Sequence, residues 1–264
     1  MRKFIYPVIA FIVAIVSYYT QRSEEASKLE DFKANTPKTT DFNYLPTSTT
    51  GQVIEHAYYS LSYNEKYEQS EWVAYHLKKE HTAYNDFKRP YFEEDPMVKS
   101  QSASWKNYKK SGYDKGHLCP AADRRFLKAA HDETFLTSNV TPQKHSFNAG
   151  IWNDLEKKIR YKLNKEKDLF VVTGPVIGSS KKTIGFENVA VPNHFFKIIL
   201  KHTDNGSPRM VGFLIPHDTN SRNLKEFILP VDKIESLVGI DFFPELPDVL
   251  EDKLEAKEDK NWIY

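Results

Sequence analysis

The polar and apolar positions of this chain fall into two periods. Val53 to Tyr63 carries Tyr, Leu and Val with some alternation, and Glu71 to Leu77 (Glu-Trp-Val-Ala-Tyr-His-Leu) repeats the pattern. Asn64-Glu65-Lys66 and the polar residues after it join the two runs, which predicts a hairpin-like pair of strands. Three more apolar runs predict strands over residues 169–176, 189–200 and 209–216. Between the two groups the period changes. From Asn148, apolar residues stand at Ile151, Trp152, Leu155, Ile159 and Leu163, a helical spacing that predicts a helix from Asn148 to Leu163. Lys157, Lys158, Arg160 and Lys162 lie toward its C-terminal end, where cations suit the helix dipole. Residues 78–112 are charged and irregular, Asp232 to Gly239 predicts a short helix, and the tail from Glu245 onward is charged. No internal repeat is present. The sum is an α+β fold, a mainly antiparallel sheet with one prominent helix.

The N-terminus stands apart from this pattern. Arg2 and Lys3 precede an uncharged, mostly apolar run from Phe4 to Tyr19, the plan of an export signal. The run has 16 residues, short of the roughly 20 that span a bilayer comfortably. No A-x-A cleavage site follows, so a cleaved signal peptide and a retained membrane anchor are both open. Either places the rest of the chain outside the cytoplasm, as a periplasmic, secreted or membrane-anchored protein. Residues 1–19 are thus read as leader, the polar residues 20–45 as linker and residues 46–264 as one domain.

A chain of 264 residues, 40% hydrophobic and 14% aromatic, is long enough for a large strand-rich core. Its single cysteine, Cys119, excludes an intramolecular disulfide and a Cys-based zinc site. That residue is either a small packing group or a thiol made reactive by His117 two positions away. The net charge of +1 does not announce nucleic-acid binding, so any attraction to phosphate must come from a local cluster.

The chemistry concentrates in Tyr113-Asp114-Lys115-Gly116-His117-Leu118-Cys119-Pro120-Ala121-Ala122-Asp123-Arg124-Arg125. Gly116 removes side-chain bulk just before the histidine and Pro120 fixes the chain direction after it. The stretch reads as an active-site strand and loop with His117 as the working group. A second constellation is Ser138-Asn139-Val140-Thr141-Pro142-Gln143, followed by Asn148 and Glu156 on the predicted helix. Glu156 lies roughly 12 Å of helix axis beyond Asn148, so the two do not bind one ion side by side. The spacing permits an Asn148 oxygen directly on the ion, with Glu156 reaching metal-bound water. Mg²⁺ suits such a site, because it keeps several waters and needs few protein oxygens.

The three blocks Asp114-x-Gly116-His117-Leu118-x-Pro120-Ala121-Ala122-Asp123, Ser138-Asn139-Val140-x-Pro142-Gln143 and Asn148-x-x-x-Trp152-x-x-Leu155-Glu156 resemble the DNA/RNA non-specific endonuclease family. Endonuclease G belongs to that family, a group of ββα-metal nucleases. The resemblance covers roughly residues 50 to 245. It implies a catalytic unit of two strands, a loop and a metal-bearing helix, and hydrolysis of DNA and RNA to 5′-phosphate products with Mg²⁺ or Mn²⁺. His117 would be the general base, Asn148 the sole protein ligand of the ion, Glu156 a holder of its water, and Asn139 a positioning residue. Lys115 stands where the family usually has Arg; it keeps the charge and loses the bidentate fork. The family's upstream arginine, set against transition-state charge and substrate phosphate, is assigned to Arg89 although the local spacing does not match cleanly.

Two other functions fit less well. A catalytically silent, cell-surface nucleic-acid-binding module has no need of His117, Asn148 and Glu156 together, and a phosphodiesterase of narrower range differs only in substrate. A phosphate-cradling G-x-x-x-x-G-K-[ST] loop and an H-E-x-x-H zinc motif are both absent.

Overall fold

The computed structural model describes residues 11–20, 23, 42–47, 50–166, 168–178, 181–201 and 208–264. Their strands are β1 (Gln52–Glu55), β2 (Ser60–Asn64), β3 (Gln69–Lys78), β4 (Asp114–His117), β5 (Val140–Gln143), β6 (Asp168–Val176), β7 (Thr183–Ile184), β8 (Val189–Ala190), β9 (His194–Lys201), β10 (Arg209–Pro216) and β11 (Ile228–Leu229). Seven form one sheet in the order β1-β2-β3-β6-β9-β10-β11, antiparallel at every neighbouring pair. β4 and β5 make a separate two-stranded sheet, as do β7 and β8. The α+β architecture with a mainly antiparallel sheet is therefore present.

Strand side chains alternate between faces, and the large sheet buries both. One face carries Val73, Tyr75 and Leu77 of β3, Phe195 and Ile199 of β9, and Val211, Phe213 and Ile215 of β10. It is covered by Ile151, Trp152, Leu155, Ile159 and Leu163 of the predicted helix, all of them buried as their spacing requires. The other face carries Trp72, Ala74, Phe170, Val172, Phe196, Ile198 and Leu200. Helices Val231–Val238 and Asp248–Glu255 cover it through Val231, Ile234, Leu250 and Leu254. Burial on both sides explains why the central strands read as nearly unbroken apolar runs.

Local departures from the sequence pattern have local causes. Val53 to Tyr63 is two strands rather than one, because the chain turns at 56–59, where the N–H groups of Ala57 and Tyr58 donate to the Glu133 carboxylate at 3.3 and 3.1 Å. Residues 189–200 divide into β8 and β9 around Pro192, which has no N–H for a ladder. The charged tail folds as the helix Asp248–Glu255, held by Leu250 and Leu254 one turn apart. The helix predicted from Asn148 begins earlier, with a turn at His145–Phe147, passes through a wide turn at Asn148–Trp152 and becomes regular over Asn153–Lys162. Gly150 leaves helical geometry there, at φ −96° and ψ −121°.

Residues 1–10 of the leader and 21–22 and 24–41 of the linker lie outside the described residues, and 11–20 form an exposed helix. Phe42 is buried and packs edge-on against Phe170 with ring centres 5.2 Å apart.

Between β3 and β9 the sheet tolerates no side chain at Gly174 of β6. A Cβ there would lie 2.3 Å from the Glu71 carbonyl oxygen and 2.7 Å from the Phe196 ring. Gly174→Ala is therefore expected to destabilise the fold by about 1–3 kcal/mol, as overpacking does. A urea midpoint equal to that of the wild type would contradict this close approach.

Candidate active site

β4 and β5 pair antiparallel, with Asp114 opposite Gln143, Gly116 opposite Thr141 and His117 opposite Val140. The chain enters its helical turn at His145, two residues after β5 ends. Strand β5 and the helix are thus joined with almost no slack. Gly116 is required by this packing, since a Cβ would stand 2.1 Å from Cδ of Gln143. Residues 118–139 connect the strands, and Asn139 closes that connection. Its Oδ1 accepts from the Cys119 N–H at 2.9 Å, and its Nδ2 donates to the carbonyls of Cys119 (3.0 Å) and Thr134 (2.9 Å). Its own carbonyl accepts from the Leu118 N–H at 2.9 Å. Asn139 is fully buried, and its amide is spent on holding the backbone that follows His117.

Lys115 and His117 are two apart on β4 and share a side of the strand. They meet an aromatic floor. Phe92 lies 5.4 Å from the His117 ring, and Phe135 meets that ring edge-on at 5.0 Å. The Lys115 ammonium is 5.1 Å from the centre of Phe92 and 5.7 Å from that of Tyr108. The Arg89 guanidinium, from an exposed loop, is 5.4 Å from Phe92 and 5.3 Å from Phe135. Three residues named from the sequence therefore converge on Phe92 and Phe135, including Arg89, whose assignment had the weakest motif support. His117 Nε2 is buried and has no hydrogen-bond partner among the described residues. Burial, then the charges of Arg89 and His131, lowers its pKa to about 3, so the imidazole is unprotonated throughout the neutral range.

Asn148 stands at the other end of β4. Its Nδ2 donates to Asp114 Oδ2 at 3.0 Å, and His145 Nδ1 lies 2.9 Å from the same oxygen. Asn148 is half-buried, and with its amide nitrogen held, Oδ1 is the atom left to meet a cation; it accepts no bond among the described residues. Asp114, kept out of the sequence-derived site, is thus what orients Asn148. The entry to the helix is held too: buried His217 accepts the Lys144 N–H on Nε2 at 2.7 Å and donates from Nδ1 to the Pro192 carbonyl at 2.8 Å.

Glu156 sits on the regular part of the helix, facing the sheet. Burial raises its pKa to about 7, while Lys197 and Arg160 pull down and Asp123 pushes up. Lys197 comes from β9, fully buried, its ammonium 4.6 Å over the Trp152 ring and its pKa lowered by burial against the pull of Glu156. Arg160 Nη1 donates to Asp123 Oδ1 at 2.7 Å, and the Tyr75 hydroxyl donates to Asp123 Oδ2 at 3.2 Å. Sequence reasoning missed these supports. Arg160 lies four residues after Glu156, hence on the same helix face, and Lys197 interrupts an apolar strand; either signal could have found them. Cys119 is buried with its thiol pushed up to about 12, which leaves the packing role and removes the reactive one.

The chain has relatives among known proteins. Residues 37–249 match the family described as DNA/RNA non-specific endonuclease. The mitochondrial nuclease EXOG of Xenopus laevis is 32% identical over 253 residues, covering 90% of this chain and 70% of its own length. The mitochondrial endonuclease G of Homo sapiens is 31% identical over 202 residues, covering 71% of this chain and 68% of its own. Among solved structures, a chain of the EndoG/EndoGI complex superposes with a TM-score of 0.70 at 30% identity, covering 76% of this chain and 89% of that one. These relatives correct one expectation from the sequence. They are named as mitochondrial nucleases, and among the described residues no helix is long and apolar enough to cross a membrane. A short basic start followed by an apolar run is a plan too generic to identify a compartment.

The electrostatics of His117 can be measured directly. Its NMR titration midpoint is expected near 3, and Arg89→Gln should raise it, because one of the two positive charges disfavouring the imidazolium is removed. A midpoint that stays put or falls in that variant would contradict the placement of Arg89.

Proposed function

The chain belongs to the DNA/RNA non-specific endonuclease family, and we propose that it cuts both polymers at the site formed by His117, Arg89, Lys115, Asn148 and Glu156, with Mg²⁺ as its ion. The observation that carries this reading is the unprotonated His117 sharing one aromatic floor with two cations. A silent binding module gains nothing from a buried, unprotonated base. Arg89 and Lys115 would receive the scissile phosphate, and the imidazole of His117 would take the proton from the attacking water. Recognition through backbone phosphate accounts for indifference to the sugar and for a near-neutral chain that uses a local cluster.

The residues fit a hard divalent cation. Asn148 Oδ1 would hold it directly, Asp114 would keep that oxygen turned outward, and Glu156 would reach it through water. Bound there, the ion would supply positive charge to the phosphate and to the departing oxygen. Glu156 must be ionised to serve, and Lys197 and Arg160 oppose the burial that would keep it protonated. As pH falls below about 7 this carboxylate protonates, so Mg²⁺ affinity should weaken on the acid side of neutrality.

The assay uses the full chain with supercoiled plasmid and with RNA, in Mg²⁺ or in EDTA. The wild type should cut both with Mg²⁺ and neither in EDTA. His117→Ala should lose about 10²–10⁴-fold in rate, as loss of a general base does. Glu156→Gln and Asp114→Ala should each cost about 10–100-fold in activity or Mg²⁺ affinity, as supports of a metal site do. A wild type inert with Mg²⁺, or a His117→Ala variant that matches it, would end the proposal.

A further inference from the structure

The face of the sheet opposite the nuclease site carries a second concentration of charge. Helices Val231–Val238 and Asp248–Glu255 pack there on Phe196, Ile198 and Leu200, and each turns acidic residues toward the other. One oxygen from each of Asp232, Glu235 and Glu255 falls in a group whose members all lie within 4.8 Å of one another. Asp232 is exposed, Glu235 half-buried and Glu255 only 5% exposed. Oε1 of Glu255 is buried without a hydrogen-bond partner, and so is Oε1 of Glu251 one turn before it. The groups acting most strongly on Glu255 besides burial are Glu235, Glu251, Asp232 and Asp241, and those on Glu251 are Asp241, Glu235, Asp248 and Asp252. None is a cation.

Buried carboxylates are normally paired with a cation or a donor, because an unpaired charge away from water is costly. This cluster has acceptors in excess and no positive side chain among its dominant neighbours. Three carboxylate oxygens this close can be shared by one ion after small side-chain adjustments, since oxygens on opposite sides of calcium, at 2.3–2.6 Å each, stand about 5 Å apart. Magnesium, at 2.0–2.1 Å and strictly octahedral, suits the looser spacing less. We propose that Asp232, Glu235 and Glu255 form a divalent-cation site of calcium's class, with Glu251 beside it, that staples the two helices covering the far face of the sheet. The site is independent of the nuclease reading, because the full thickness of the sheet separates it from Asn148 and Glu156. Its role is stabilisation, since the C-terminal helix reaches the sheet through only Leu250 and Leu254 of its own residues. The rival state has no ion; Glu255, pushed up to about 9, keeps a proton and shares it with Glu235.

The test uses the full chain carrying Asn148→Ala, so that the nuclease ion does not contribute. Equilibrium dialysis against ⁴⁵Ca²⁺ should find one ion per chain with a Kd of about 0.1–1 mM or tighter, the range of simple carboxylate sites. Saturating Ca²⁺ should raise Tm by about 5 °C over EDTA, the size expected for binding to the native state alone. Adding Asp232→Asn, at an exposed position that leaves the fold intact, should remove both the ion and the shift. Glu255→Gln, which keeps the size of the side chain and removes the carboxylate, should remove them too. Failure of Asn148→Ala to bind Ca²⁺, an unchanged Tm, or retention of the ion in Asp232→Asn would each overturn the site and favour the shared proton.

Discussion

The pairing of β4 with β5 is the constraint on which the site depends. Four residues face four, and the register sets Asp114 beside the chain that enters the helix and His117 beside Val140 at the far end. A slip of one residue would turn Lys115 and His117 away from Phe92 and Phe135, because strand side chains alternate. The register is secured from both sides. Gln143 fills the space that Gly116 leaves, and Asn139 ties the returning chain to Cys119 and Leu118. Helix and strand are then coupled by one oxygen of Asp114, which meets both Asn148 and His145.

On that frame, opposite demands on charge are met by separating them. His117, the proposed base, has to be unprotonated in water near neutral pH, and burial with Arg89 nearby keeps it so. The same guanidinium and the Lys115 ammonium offer charge to a polyanion without lending a proton to His117. In the proposed site the Glu156 carboxylate has to ionise despite its desolvation, and Lys197, raised on β9, counters that cost. Lys197 is tolerated in the core because Trp152 offers its face and Glu156 its charge. The sheet is thus an electrostatic support of the site as well as its platform.

The two faces of the sheet differ in how this balance is reached. Toward the nuclease site each buried charge has a counter-charge in Lys197, Arg160 or Asp123. Toward the C-terminal helices the carboxylates repel one another with no side-chain cation among their strongest influences. This asymmetry distinguishes a region balanced by the chain itself from one that needs a proton or an ion.

Local pattern determined the periodic elements: the helix carrying Ile151, Trp152, Leu155 and Ile159, and the strands at 169–176 and 209–216; it also singled out His117, Asn148 and Glu156 for the proposed site. These were legible because burial imposes a period of two or of 3.6 on neighbours in the chain, and because the motif blocks lie within short stretches. The split of 53–63 was not legible, since it arises from the carboxylate of Glu133, far along the chain. Nor was the role of Lys197, which depends on which strand lies beneath Glu156, or that of Asp114, which depends on the register of β4 with β5. The pairing of the acidic helices likewise joins residues that neither helix brings together alone. Only the tertiary structure decided how these charges meet, because Coulomb interaction and desolvation act through space and leave no period in the chain.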